Sequence, residues 1–370
     1  MAHNLLNDSM FYNRSTTPAW HSLGINDPTD HTAEGALRRV TKESGKDDIF
    51  GIIKQPLMVT LPGMTEPTES GYYALVREPA PGRDFYEVIG TPVSADFEAI
   101  GPADIARLCD TNIVKADGTP VPVDTLGLLG KGDRMFTTYE LPSYDVKGDE
   151  IKMYLIFDAP FANGISLGGF TSGVRVVCQN TLNAAIGRSV QQFEVTHTKG
   201  ASEQVAKWLS AMYSNALESA ALLAEAYNVL AKTKIKEAQV KWIIDAAYPL
   251  PNPEVEEFSA NARLPLAIRQ EMRDKNIARI VGVRESVFDL YKGAGVGMDT
   301  PAVKGTAFGA YNAVAEYETW GRKATGQRAV GALINGARGA RIRNAFTLAM
   351  NVKTWETVTP ALEYVPIYGG

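Results

Sequence analysis

RMFTTYEL (Arg134–Leu141), EIKMYLIFD (Glu150–Asp158) and LGGFTSGVRVVC (Leu167–Cys178) are three consecutive runs of alternating apolar and polar residues. They are separated only by PSYDVKGD and APFANGIS, each rich in turn-forming residues. Alternation with a period of two puts every second side chain on one face of a strand, and links this short favour antiparallel neighbours over crossovers. The three runs predict an antiparallel β-meander. NTLNAAI (Asn180–Ile186) follows directly, with Asn180 or Thr181 placed to cap a helix and Gly187 to stop it, so the expected unit is β-β-β-α.

Working outward, IFGIIKQPLMVTL (from Ile49), GYYALVRE and FYEVIGTPV (to about Gly90) predict further short strands. A short helix is expected at Ala103–Cys109, opened by Pro102 and with Asp104 near its positive end. The first 35 residues are polar and turn-rich and predict an irregular arm, followed by a core domain over 36–200. Past His197 the period lengthens to three and four. A helix capped by Ser202 is expected to run to about Lys232, followed by helices near Ile235–Ala247, Leu266–Leu290, Val303–Lys323 and Arg328–Met350. The PLPNPEVEE stretch within 249–262 separates the 201–248 helical pair from a basic helical region over 263–370. The fold class is therefore α+β: a meander followed by a helical C-terminal region.

With 45% hydrophobic and 21% charged residues the chain can bury a large core. No run of about 18 apolar residues occurs, and MAHNLLNDSMFYNR has no basic-then-apolar leader pattern, so neither a membrane span nor a secretory signal is expected. Two cysteines, Cys109 and Cys178, cannot frame a disulfide scaffold and suit a reducing compartment, which places the protein in a cytoplasm. The net charge of −5 hides a gradient: residues 1–260 balance to −11 and residues 261–353 to +8. Part of an acidic molecule could thus attract a polyanion, or one half could attract the other half of a neighbouring copy.

Chemical motifs are sparse. His3, His21, His31 and His197 lie far apart and neither cysteine belongs to a CxxC pair, so no metal site is expected. GAGVG (Gly293–Gly297) lacks the third glycine of a dinucleotide loop and follows a helix, and no phosphate-binding GxxxxGK[ST] occurs, so no cofactor is expected. Cys178 and His197 are the nearest nucleophile and base, but VRVVC predicts burial, and buried thiols are generally inert. The acids Asp104, Asp110, Glu254, Glu256 and Glu257 read as solvated faces.

Cations interleaved with rings are better represented. The meander carries Lys131, Arg134, Lys152 and Arg175 among Phe136, Tyr139, Tyr154 and Phe170. Cations beside ring faces are what a single nucleic-acid strand needs, with Phe136 and Tyr154 as stacking candidates, although alternate aromatics in a strand also make a core face. A second cluster comprises Arg322, Lys323, Arg328, Arg338, Arg341 and Arg343, where residues 338, 341 and 345 would share a helical face.

RVVCQNTLNAAI (Arg175–Ile186), AHNLLND…PAWHSLG (Ala2–Gly24) and GTAFGAYNAVAEY (Gly305–Tyr317) together resemble the phage- and plasmid-encoded family of phage/plasmid-like proteins, a domain of unknown function. The sequence reads Pro18-Ala19-Trp20-His21-Ser22-Leu23-Gly24 where that family usually reads PWHGLG. The resemblance implies a mobile-element setting in a bacterial host and no transferable activity. The order of elements, with basic strands before a helix, is also similar to ring-forming single-strand annealing recombinases, an analogy of architecture alone. The expected function is a non-catalytic, homo-oligomeric, single-stranded nucleic-acid-binding protein that promotes strand annealing. The alternatives are a phage or plasmid assembly protein built by head-to-tail contacts, and a cysteine-dependent enzyme.

Overall fold

The computed structural model describes residues 5–13, 25–29, 31–41, 50–79, 85–162, 166–175, 180–182, 193–251, 264–321 and 337–352. Its main sheet contains the expected meander: β7 (Arg134–Val146), β8 (Asp149–Pro160) and β9 (Leu167–Arg175) pair antiparallel in sequence order. The β7–β8 hairpin closes on Lys147 and Gly148, both at positive φ (51° and 86°), as the twist of a two-residue hairpin turn requires. β6 (Thr125–Leu129) continues the sheet beyond β7, and β1 (Leu5–Tyr12) and β2 (Ile25–Asn26) complete it. The first residues are therefore part of the sheet, with β1 antiparallel to β6, and the expectation of an irregular arm is corrected. A strand gains its hydrogen bonds from the sheet it joins, which composition does not reveal.

The helix expected at Asn180–Ile186 is also corrected. Asn180–Leu182 forms β10, paired with Gly173–Arg175 of β9, and residues 183–186 lie outside the described residues. β11 (Phe193–Val195) pairs with the other end of β9. The runs read near 49–90 form a separate three-stranded antiparallel sheet: β3 (Ile52–Val59), β4 (Thr68–Arg77) and β5 (Glu87–Val93).

One face of the main sheet is covered by α1 (Ala33–Thr41), α2 (Pro102–Asn112) and the 32-residue α3 (Ala201–Lys232). Val205, Leu209, Met212, Ala216, Ala220 and Leu223 of α3 recur at three and four residues and join one apolar cluster with Met135, Tyr139, Met153 and Leu155 of the strands. At Gly173 an added Cβ would meet Ile151 at 3.1 Å and Tyr227 at 3.2 Å, so this glycine lets α3 lie close on the sheet. The N-cap of α3 is Gly200. Ser202 lies in the first turn, and the carboxylate of Glu98 accepts hydrogen bonds from the N–H groups of Ala201 and Ser202 in place of the expected serine cap.

Beyond α3 come α4 (Glu237–Ala247), α5 (Leu266–Asp289), α6 (Ala307–Glu316) and α7 (Ala337–Met350). The segment expected to link two helical regions falls mostly on 252–262, outside the described residues. α4, α6 and α7 belong to the same apolar cluster as the sheet, which runs from Phe11 to Val352, so they share the core of the meander. Tyr227 of α3 is packed among Phe308, Tyr311 and Phe346, with ring centroids 5.5–6.1 Å away. Among the described residues no helix is long and apolar enough to cross a membrane.

Candidate functional site

The face of the meander turned away from α1, α2 and α3 carries the residues from which strand binding is expected. Because Phe136 pairs with Asp158 and Glu140 with Tyr154, residues 134, 136 and 140 of β7 and 152, 154 and 158 of β8 share one face. The structure thus brings Arg134, Phe136, Lys152 and Tyr154 together, as period-two spacing dictates. Both rings, however, are buried, in a second apolar cluster with Met10, Tyr12, Leu129, Ile156, Phe170 and Val174. This corrects the stacking role: a ring with about 1% of its surface exposed offers no face to a base.

The cations of this face carry their own counter-charges. Arg134 Nε donates to Asp158 Oδ1 at 2.6 Å, and its Nη2 donates to Oδ2 of the same buried carboxylate. Lys152 lies 3.2 Å from Glu140. Lys131, on the β6–β7 turn, lies 2.6 Å from Glu87, which also accepts from the buried Arg77. The backbone of Arg175 pairs with Ile151, and its side chain is outside the described residues. Only Arg134 is held by a buried carboxylate that it would have to leave to meet a phosphate, whereas the pairs of Lys131 and Lys152 are partly exposed and weak.

In the C-terminal cluster, Arg322, Lys323 and Arg328 lie outside the described residues. The three arginines of α7 are half-buried, beside an inward face made by Ile342, Ala345, Phe346 and Ala349. Arg341 stands 3.7 Å from the buried carboxylate of Glu318 and 5.9 Å over the ring of Tyr248, whose hydroxyl donates to Glu318 at 2.8 Å. Arg338 donates to the backbone oxygen of Glu318 at 3.3 Å, and burial pushes the pKa of Arg343 down. Arg338 and Arg341 thus tie α7 to the helical segment 317–321 that continues α6.

Among the described residues, Cys109 and His197 are both buried within the fold. Cys109 lies on the buried side of α2, and burial pushes its thiol up to about 12, with Asp110 adding to the rise. Cys178 is outside the described residues. His197 is wedged between backbone oxygens, with Nε2 2.7 Å from Pro160 O and Nδ1 3.3 Å from Glu98 O, and it stacks on Phe97 at 4.8 Å. Its ring ties the end of β8 to the start of α3. Among the described residues no three His, Cys, Asp or Glu side chains converge as metal ligands.

Two surfaces stand out that were not singled out from the sequence. The first is KTKIKE (Lys232–Glu237), joining α3 to α4. Burial alternates along it, with Thr233 and Ile235 facing inward and Lys232, Lys234 and Lys236 exposed, and the three lysines line a cleft of about 560 Å³. The alternation is legible in the letters, but it hides inside a helical region where a period of two is not sought. The second is the outward face of the β3–β5 sheet. Ile53, Val76 and Val88 pair side by side across its three strands, with Ala74 and Tyr72 beyond. An antiparallel sheet with one solvated face normally turns polar residues outward; here Val88 is 61% and Tyr72 58% exposed.

No curated protein and no solved structure matches the chain. The profile of one family does, over residues 91–345, which takes in the meander, α2 to α6 and the KTKIKE connection. Since that match covers more than half of the chain, the protein belongs to the DUF932 family, a domain of unknown function.

Proposed function

We propose that this protein is a non-catalytic assembly protein whose copies join head to tail, the outward face of the β3–β5 sheet of one copy receiving α5 of the next. The observation that carries this reading is the Ile53–Val76–Val88 row, an apolar stripe in which Val88 is 61% exposed and Ile53 and Val76 are half-buried. Contiguous exposed apolar surface of this kind marks interaction sites. Both edge strands carry a proline, Pro56 in β3 and Pro92 in β5, which discourages extension by strand pairing and leaves the face as the point of contact.

The properties of α5 supply the complement. Only Val283 and Val287 of this 24-residue helix are buried, and its first half exposes Leu266, Ile268 and Met272 beside Arg269, Arg273 and Lys275, which outnumber Glu271 and Asp274. Over residues 52–93 the sequence carries Lys54, Arg77 and Arg83 against Glu66, Glu69, Glu78, Asp84 and Glu87, a balance of −2. Apolar surface therefore meets apolar surface, and net negative charge meets net positive. Contacts between unlike patches close into rings or continue as filaments. Such an object fits the mobile-element setting that the sequence resemblance implies.

Size-exclusion chromatography with light scattering tests the proposal. The unmodified protein is expected to assemble, and Val88→Glu and Ile268→Glu are each expected to be monomeric. Mixed together, they are expected to form a one-to-one pair, since each retains the surface the other lacks. A monomeric unmodified protein at tens of micromolar would overturn the proposal, and so would an Ile268→Glu protein that still assembles through sheet-to-sheet contact.

A further inference from the structure

Around the α3–α4 connection five lysines gather from three separate stretches of chain. Lys232, Lys234 and Lys236 line the 560 Å³ cleft. Lys147, from the β7–β8 turn, donates to Ala231 O at 3.0 Å, and Lys234 donates to the backbone oxygen of Lys304, also at 3.0 Å. All five are exposed, and none is ion-paired with a carboxylate among the described residues. This distinguishes them from Arg134, Lys131 and Lys152. The nearby acids have other partners: Glu237 is held by Lys241 and Lys292, and Asp149 accepts from Thr300.

Like charges brought this close repel one another, and no counter-charge among the described residues relieves the repulsion; an external anion would. The spacing suggests which one. Thr233 and Lys236 have extended backbones, and successive lysines are two residues apart on the solvent side. At about 3.3 Å per extended residue they repeat every ~6.6 Å, a step comparable with that between successive phosphates of an unstacked strand. A lone phosphate or a single headgroup would use one step of this ladder. A polymer with one charge per step uses all of it.

We infer that the α3–α4 cleft binds the phosphodiester backbone of a single-stranded nucleic acid, with Lys232, Lys234 and Lys236 on successive phosphates and Lys147 and Lys304 at the flanks. Among the described residues no aromatic side chain lines the cleft, so recognition is of backbone charge and not of base identity. The inference does not depend on head-to-tail assembly, because the lysines of one copy form the cleft.

Fluorescence anisotropy with a labelled 30-nucleotide single strand tests it, in the Ile268→Glu background as well as the unmodified protein, so that assembly and binding are read separately. The K232Q/K234Q/K236Q protein is expected to bind at least tenfold more weakly, and its log–log salt slope to be shallower by about 2, from roughly 0.7 for each phosphate of a single strand that is no longer neutralised. Thermal melting checks that it is folded. The K115Q/K199Q/K207Q protein, with the same change of net charge on other exposed lysines, is expected to bind as the unmodified protein does. Equal weakening by both triple variants, an unchanged slope in the first, or no binding at about 50 mM salt would overturn the inference. Equally tight binding of a matched duplex or of inorganic polyphosphate would overturn the assignment to a single strand.

Discussion

Arg134 and Asp158 meet diagonally across β7 and β8 in a two-pronged ion pair on the second face of the main sheet, with the carboxylate almost wholly removed from water. The pair lies beside the cluster built on Phe136 and Tyr154 and answers the arginine within the fold. A buried pair is most sensitive to the loss of one partner, since the remaining charge has neither water nor a counter-ion. Asp158→Ala is therefore expected to destabilise by about 3–5 kcal/mol. Arg134→Met with Asp158→Leu should recover most of that loss. Urea denaturation of the three proteins checks the ordering.

Glu98 gives the start of α3 a pH dependence. Burial disfavours its ionised form, but hydrogen bonds from Ser202 Oγ and from the N–H groups of Ser202 and Ala201 outweigh that, and its pKa falls below the ordinary glutamate value. A carboxylate with a lowered folded-state pKa contributes stability that is complete above the ordinary value, near ~4.3, and is lost as pH falls through the folded value. Glu98→Gln should lower stability at neutral pH by about 0.5–2 kcal/mol, the range for losing a helix cap. It should also flatten the stability profile below about pH 4.5, as measured by thermal melting between pH 3 and 7.

Cys109 is expected to be unreactive while the protein is folded. In a Cys178→Ser background, the remaining thiol should resist a disulfide reagent at pH 8 and react at once in denaturant, because burial holds its pKa at about 12 and denies the reagent access. Spectrophotometric release of the reagent's thiolate measures both rates. Prompt reaction in the native state would contradict the packing of α2.

Gly309 explains the second glycine of GTAFGAYNAVAEY. The side chain of Thr306 caps α6 by accepting from Gly309 N at 3.1 Å, and a Cβ on Gly309 would lie 2.1 Å from the backbone oxygen of Val303. Gly309→Ala must displace backbone and is expected to destabilise by at least about 1–3 kcal/mol, although alanine is the better helix former. Circular dichroism melting distinguishes this outcome from the gain that propensity alone would give.

The sequence by itself determined the β-meander, the class of the fold and the positions of α3, α4 and α5, because periodicity is local and survives without knowledge of neighbours. It also placed Arg134, Phe136, Lys152 and Tyr154 on one face, since alternation guarantees that much. Tertiary structure alone decided that Asp158 and Glu140 would meet those cations and that a second apolar cluster would enclose the rings. It likewise made Leu5–Tyr12 a strand of the main sheet and brought Lys147 and Lys304 beside Lys232–Lys236. Whether a charge is free, and whether a ring is exposed, depends on what lies within a few ångströms in space, and residues 24 or 84 positions apart in the chain can supply it.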